Sequence, residues 1–473
     1  MEDRKKVTER TLPEVLGAYN GKHSARFHMP GHKGRGMSGF WRGELIGWDV
    51  TELSGTDNLH QPNGAILRAQ QNMAAAYGAK ASFLIVNGST AAVQAMILAL
   101  SPSDKLLLSR DAHRSAASGA ALRGIPVSYL WPEYDEITDL SGMVTPEKLD
   151  RALTGTGATA VLITSPNYMG FCADIPALAQ VAHAHHALLM VDAAHGAHYP
   201  FSDLLPGGLA GYADLWAHSQ HKTMDALTQA ASLHLGECRI SPEQLQRVLA
   251  MIETTSPSYL LMASLDWSVY MASRQNWSGQ VYRMEKLRER IAKIPGMALL
   301  PRHIGIGVYD RDRTRLIVDV TGRGLTGFAA AALLEEVGVY VEMADARRLV
   351  LITSPEDDPN WYEQLLLALD GLPERTMTDA LQADARRRKV MLSEQPETRL
   401  CPRDAVFGKL VPIPLSEATG RVAGEAIGVY PPGVALVMPG EVITKNTILY
   451  LQEEERTGAT LFGVRNGRIF VVA

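Results

Sequence analysis

Trp216-Ala-His-Ser219-Gln-His221-Lys222-Thr-Met-Asp225-Ala-Leu-Thr-Gln-Ala-Ala231 sets a lysine beside a histidine, three residues after a serine. Upstream, Leu188-Leu-Met-Val191 is an apolar run of strand length that ends in Asp192-Ala-Ala-His195-Gly-Ala-His198. Short apolar runs bounded by polar turns, alternating with helical patterns, indicate a mostly parallel sheet covered on both faces. Working outward, residues 66–77 read as an alanine-rich helix, 82–86 as a strand and 90–100 as a helix. A strand at 105–108, a helix at 116–123 and a strand at 127–130 follow. Positions 160–164 and 188–191 read as strands on either side of a helix at 175–185. The predicted fold class is α/β.

The residues at the ends of these strands carry chemistry. Active sites of open parallel sheets lie at the carboxyl edge, where Asp192 falls. A lysine in a neighbourhood of Ala, Ser, Thr and His is poorly placed as a solvated surface charge, and desolvation lowers an amine's pKa toward nucleophilic use. Lys222, a nearby hydroxyl and an upstream carboxylate are together what pyridoxal phosphate requires: an amine for its aldehyde, a phosphate ligand, and a partner for its pyridine nitrogen. Asn87-Gly88-Ser89-Thr90 lies between a strand and a helix, where backbone N–H groups and hydroxyls form an anion site. Ser219 is a further phosphate ligand on this reading. His113, after the strand at 105–108, is placed to stack on a flat ring. Each motif has a plainer reading, Asp192, Ser89 or Thr90 as helix caps and His113 as a loop histidine; their order along the chain favours the shared site.

A chain of 473 residues and 51.5 kDa predicts more than one domain. The pattern divides it into an arm (1–45), a large domain (46–295), a small α/β domain (296–373), a charged linker (374–398) and a C-terminal α+β domain (399–473). A continuous helical pattern from 259 to about 294 bridges the first two domains, and a short helix is expected near 13–19. The net charge of −5 argues against general nucleic-acid affinity. Arg386-Arg-Arg-Lys389 reads as a solvated helix or linker. Cys172, Cys238 and Cys401 are too few and scattered for a disulfide framework. His183-Ala-His-His186 ends a helix without a carboxylate or thiol to complete a metal set. No apolar run approaches a membrane span, and no signal peptide is visible, so a cytoplasmic enzyme is expected.

Several motifs together resemble the Orn/Lys/Arg decarboxylase family of pyridoxal-phosphate enzymes, which share the aspartate aminotransferase fold (fold type I). They are Phe27-His-Met-Pro-Gly-His-Lys-Gly, Asp49-Val-Thr-Glu-Leu-Ser-Gly-Thr-Asp57, Thr164-Ser-Pro-Asn-Tyr-Met-Gly170, and the Asp192 and Lys222 segments. Thr255-Ser-Pro-Ser-Tyr-Leu-Leu-Met-Ala-Ser264, Tyr430-Pro-Pro-Gly433 and Pro439-Gly-Glu441 complete the set. The likeness matches short members without an N-terminal receiver-like domain. It implies Lys222 as the cofactor lysine, Asp192 as the pyridine partner and His113 as the stacking ring. Gly88, Ser89, Thr90, Ser219 and His221 would line the phosphate and ring, with His195 close by. It also implies a homodimer or higher homo-oligomer with shared sites.

Three positions depart from the family's usual residues: Ala193 for an acid, Arg114 for a lysine, and Asp225 for a small residue or proline. Asp225 stands near enough in sequence to act on the lysine or on substrate choice. The expected reaction is α-decarboxylation of a basic L-amino acid (arginine, lysine or ornithine) to agmatine or a diamine. Lys222 or His221 would return a proton to the α-carbon, and Glu441 is a candidate for the substrate's distal cation. Arg347 and Arg348 keep an aminotransferase-like reaction open, and a non-catalytic homologue is the other alternative.

Overall fold

The structure is a computed structural model that describes residues 25–28, 33, 48–52, 56–135, 140–301, 304–376, 395–430, 433–456 and 459–473. The helix expected near 13–19, the basic run at 386–389 and most of the linker lie outside the described residues.

Seven strands form the central sheet: β1 (Ala81–Ile85), β2 (Leu106–Ser109), β3 (Val127–Leu130), β4 (Ala160–Thr164), β5 (Leu188–Asp192), β6 (Leu215–His218) and β7 (Ala231–Leu235). Their spatial order is β1-β7-β6-β5-β4-β2-β3. Strands β2 to β6 pair in parallel, whereas β7 runs antiparallel to both β1 and β6. The near-continuous apolar runs follow from burial on both faces. Leu107, Val161, Ile163, Leu189, Val191 and Trp216 point into one core. Their neighbours Leu106, Leu108, Leu162, Met190, Leu215 and Ala217 point into the other, as the two-residue period of a strand requires.

Sequence reading passed over β7 because it carries Ser232 and His234. Both are buried and satisfied within the sheet. His234 Nδ1 lies 2.7 Å from Ser82 Oγ, and its Nε2 lies 2.7 Å from Ser232 Oγ and 3.1 Å from His218 Nδ1. Burial holds His234 well below the ordinary imidazole range and His218 at about 3, so both rings are neutral and their polarity is absorbed by each other.

The helical pattern from 259 to 294 is two helices, Tyr259–Ala272 and Trp277–Ile291. The break is local chemistry. Asn276 Oδ1 accepts the Gly279 N–H at 2.7 Å and opens a new helix, while Ser258 caps the first. Three further helices, Pro146–Thr156, Pro242–Ile252 and Pro359–Asp370, each begin with proline after a capping Thr145, Ser241 or Asp358.

Beyond the large sheet, Ala298–Leu299, Arg315–Asp319, Arg348–Ile352 and Met343–Ala344 form an antiparallel sheet in that order. Leu316, Val318, Leu349 and Leu351 are fully buried in its core beside helices Gly327–Glu336 and Pro359–Asp370. Strand Ala25–Phe27 pairs with Val339–Val341, and Lys33 Nζ donates to the carbonyls of His28 and Ile352. Near the carboxyl end, Leu410–Pro414 pairs with Arg468–Val472, and Ile427–Tyr430 lies between Ala435–Val437 and Thr460–Phe462. Helix Lys445–Arg456 packs on that set.

Candidate active site

Strand register assembles the site. Thr164, Asp192 and Ala217 are neighbours across β4, β5 and β6, at the carboxyl edge of the parallel strands. Past β6 the chain turns at Ser219, whose N–H donates to Ala194 O, into the one-turn helix Gln220–Thr223 that carries Lys222. Past β1 the chain enters helix Gly88–Leu98 through Gly88, whose φ of 74° lies in the left-handed region that favours glycine. Glu253 Oε1 holds this turn by accepting the Val86 N–H at 2.8 Å and the Asn87 N–H at 3.3 Å. Past β2, His113 caps helix Arg114–Arg123.

All nine positions marked in the sequence for cofactor or catalysis border one cavity of about 550 Å³. Tyr168, Met343, Asp345, Tyr430, Tyr450 and Glu454 border it as well, so the small and C-terminal units close it over the sheet edge.

Its electrostatics favour neutral bases. Lys222 is half-buried, its remaining exposure being to the cavity; burial lowers its amine, assisted by Arg315 and opposed by Asp192 and Glu342. Burial likewise depresses His113 to about 4, with Lys222 and Arg114 adding to the effect. His113 Nδ1 accepts the Ser115 N–H at 3.2 Å, which leaves the ring's proton on Nε2. His221 Nδ1 lies 3.1 Å from Ala230 O, a carbonyl that can only accept, so Nδ1 carries a proton. Burial raises the Asp192 carboxyl and the charge of Lys222 lowers it, while Asp192 Oδ1 accepts the Ala194 N–H at 3.2 Å.

A phosphorylated, cationic aromatic group fits these residues. Ser219 Oγ and Thr164 Oγ1 are buried at the cavity wall with no hydrogen-bond partner among the described residues. Two such hydroxyls and the start of a helix are donors in search of an anion. The buried Asp192 suits a protonated ring nitrogen. Among the described residues, no group of three or more His, Cys, Asp or Glu side chains could hold a metal ion.

Sequence reading missed Arg315, Thr164 and Tyr168. Arg315 is buried between Tyr168 O (3.1 Å) and His195 Nδ1 (3.3 Å). Only Thr164 and Tyr168 lay in a quoted motif, and nothing local marks a single strand arginine as reaching a histidine 120 positions away.

Two expectations, for Glu441 and for the Arg347–Arg348 pair, need correction, and the other singled-out residues find structural partners. Glu441 does not border the cavity; it is buried against Arg110 at 2.8 Å and accepts the Met438 N–H. Arg347 pairs with Asp319 and Arg348 with Asp345, and neither borders the cavity, so neither is placed to grip a carboxylate there. Asp225 is buried and does not line the cavity, while Asp192 and Glu342 favour the charged form of Lys222. Ala193 donates its N–H to Ala217 O, and Arg114 lies over the Phe462 ring at 5.6 Å. His183 and His185 pair with Asp214 and Asp150.

Comparison with known proteins agrees with this geometry. Residues 11–305 match the model of the Orn/Lys/Arg decarboxylase major domain, and 385–466 match that of its C-terminal domain. An arginine decarboxylase of Bacillus subtilis is 33% identical over 95% of both chains. Another, from Halalkalibacterium halodurans, is 32% identical over 93% of both. The constitutive lysine decarboxylase of Escherichia coli superposes with a TM-score of 0.75 at 19% identity, covering 100% of this chain and 80% of its own. The fold is therefore that of fold-type I pyridoxal-phosphate enzymes. The chain belongs to the Orn/Lys/Arg decarboxylase family of pyridoxal-phosphate-dependent amino-acid decarboxylases.

Proposed function

We propose that this enzyme removes the α-carboxylate of L-arginine, releasing carbon dioxide and agmatine. The observation that carries this reading is the composition of the cavity. Lys222, Asp192 and His113 share it with the carboxylates Asp345 and Glu454, contributed by the small and C-terminal units. Asp345 is paired with Arg348, and Glu454 supplies negative charge for a cationic side chain. The choice of arginine rests on the relatives of about one-third identity, which are named arginine decarboxylases.

Pyridoxal phosphate, when bound, supplies an electron sink for the pair left on the α-carbon as carbon dioxide departs. Lys222 is the attachment point, its neutral amine able to attack an aldehyde. Ser89, Thr90 and Ser219, with N–H groups of the first turn after Gly88, hold the phosphate. Asp192 keeps the ring nitrogen protonated, and neutral His113 suits a stacking role. His195 orients Lys222. The carbon–carbon bond to the carboxylate breaks, and one proton is returned to the α-carbon by Lys222 or by His221. A homodimer with shared sites belongs to this reading, supported by the family likeness. A cytoplasmic location does too, supported by three free thiols, which fit a reducing compartment. Among the described residues, no helix is long and apolar enough to cross a membrane.

The test is a product assay of the purified, cofactor-loaded enzyme on arginine, lysine and ornithine. Agmatine and carbon dioxide from arginine, at the highest kcat/KM of the three, are expected. Preference for lysine or ornithine would overturn the substrate assignment. Lys222→Ala should lose both turnover and the visible absorbance of the bound cofactor.

A further inference from the structure

We infer that Arg315 is a positioning residue that acts through His195 to keep Lys222 in its nucleophilic, uncharged form. The inference rests on Lys222 being the cofactor lysine and concerns a residue that has no direct hydrogen bond to it.

The geometry leaves one proton arrangement. A guanidinium is a donor only and stays charged. Its Nη2 lies 3.3 Å from His195 Nδ1, and Nη1 donates to Tyr168 O at 3.1 Å. His195 Nδ1 must therefore present a lone pair. Burial, with Arg315 adding to it, keeps the ring neutral, so its single proton sits on Nε2. His195 Nε2 lies 3.0 Å from Lys222 Nζ. With the proton on Nε2, that contact is a hydrogen bond only if Nζ accepts, and only an uncharged amine has a lone pair to accept with.

The opposite arrangement, an ammonium donating to Nε2, needs the proton on Nδ1. That would set an N–H against the guanidinium in a buried place, two donors facing each other. Arg315 thus excludes the tautomer that would stabilise the lysine's charge. The arginine is itself fixed: its side chain is 1% exposed, and Asp312 lies 3.9 Å away. Tyr168 packs edge-on against the His195 ring at 4.8 Å and donates its hydroxyl to Glu342.

Other charged and titratable groups act on this pair from every side. Asp192 on β5 and Glu342 beside Tyr168 favour the ammonium, while Arg315 disfavours it. His221 and His113 disfavour protonation of His195. Burial is the largest influence lowering the Lys222 amine; the two carboxylates oppose it, and Arg315 adds to it.

The test uses the full chain freed of cofactor. Lys222 is modified with trinitrobenzenesulfonate across pH and read by peptide mass spectrometry, which reports its amine directly and is independent of substrate. In the wild type the midpoint should fall below the roughly 10.4 of a solvated lysine. In Arg315→Met it should rise by about one unit or more, cutting the neutral fraction and the rate of pyridoxal-phosphate uptake about tenfold near neutral pH. Arg315→Lys, which keeps a charged donor, should restore most of the shift. An unchanged midpoint in a folded Arg315→Met overturns the proposal.

Should Arg315→Met not fold, ¹⁵N NMR of the wild-type chain decides, with His195→Gln to assign the signal. A protonated Nε2 with bare Nδ1 is expected, and a protonated Nδ1 overturns the proposal. Failure of Lys222 as cofactor lysine would show separately, as borohydride-reduced cofactor found on another residue.

Discussion

Arg110 and Glu441, 331 positions apart, form an ion pair at 2.8 Å in which neither side chain is more than 3% exposed. Arg110 also donates to the carbonyls of Ala435 and Leu436, which border the cavity. The pair therefore clamps the C-terminal unit onto the edge of the large sheet. Glu441→Ala should cost about 3–5 kcal/mol, since it strands a buried guanidinium. Urea denaturation measures this, and a loss under about 1 kcal/mol would mean the clamp contributes little.

Ser219 is the most direct probe of the proposed phosphate site, because its buried hydroxyl has no hydrogen-bond partner among the described residues. A hydrogen bond to a charged group contributes about 1.5–3 kcal/mol. Ser219→Ala should weaken pyridoxal-phosphate binding by about tenfold to hundredfold. Absorbance titration reads the change, and unaltered affinity would remove Ser219 from the phosphate set.

Glu253 links the turn before helix Gly88–Leu98 to the pH dependence of stability. Burial pushes its carboxyl up to about 7, while the Val86 and Asn87 N–H groups pull the other way. Its folded value thus lies above the 4.5 of the free group. Its contribution is full below about pH 4.5 and is lost as pH rises toward 7, where the folded chain must bury a charge. Glu253→Gln accepts the same N–H groups without ionising. It should melt near wild type at pH 5 and be more stable at pH 8, by up to about 3 kcal/mol. Equal melting temperatures at both pH values would refute this.

Asp57 behaves in the opposite sense. Its carboxylate accepts N–H groups from Asn58, Asn63, Gly64 and Ile66 at 2.7–3.0 Å, ordering the turn before helix Ala65–Tyr77. Burial alone would raise its carboxyl, and these donors bring it below the usual 3.8. The stabilisation is present above about pH 4 and disappears as pH falls through the lower folded value. Asp57→Asn retains a residue tolerant of the local φ of 77° and should lose about 1 kcal/mol at pH 7. Thermal melts should converge in acid, and a constant difference would contradict the mechanism.

The site's skeleton was legible because short-range chemistry dictates it. Apolar runs of strand length must be buried on both faces, so Asp192 and His113, which follow two of them, fall on one sheet edge. Lys222 stands out through the odd company it keeps. Strand β7 was not legible, since Ser232 and His234 break its apolar pattern and are satisfied only by Ser82 and His218 on neighbouring strands. The break at Asn276 was legible in principle, through a capping side chain that the helical period outweighed.

What the sequence by itself determined is the order along the chain of the residues that border the cavity, and with it the enzyme class. Tertiary structure alone decided which distant charges join them. Glu441 became a clamp because folding brings Arg110 to it. Arg315 sits behind His195 because a strand of the smaller sheet packs there. Hydrogen bonds and ion pairs act over about 3 Å in space, and the chain distance between partners leaves no local trace of them.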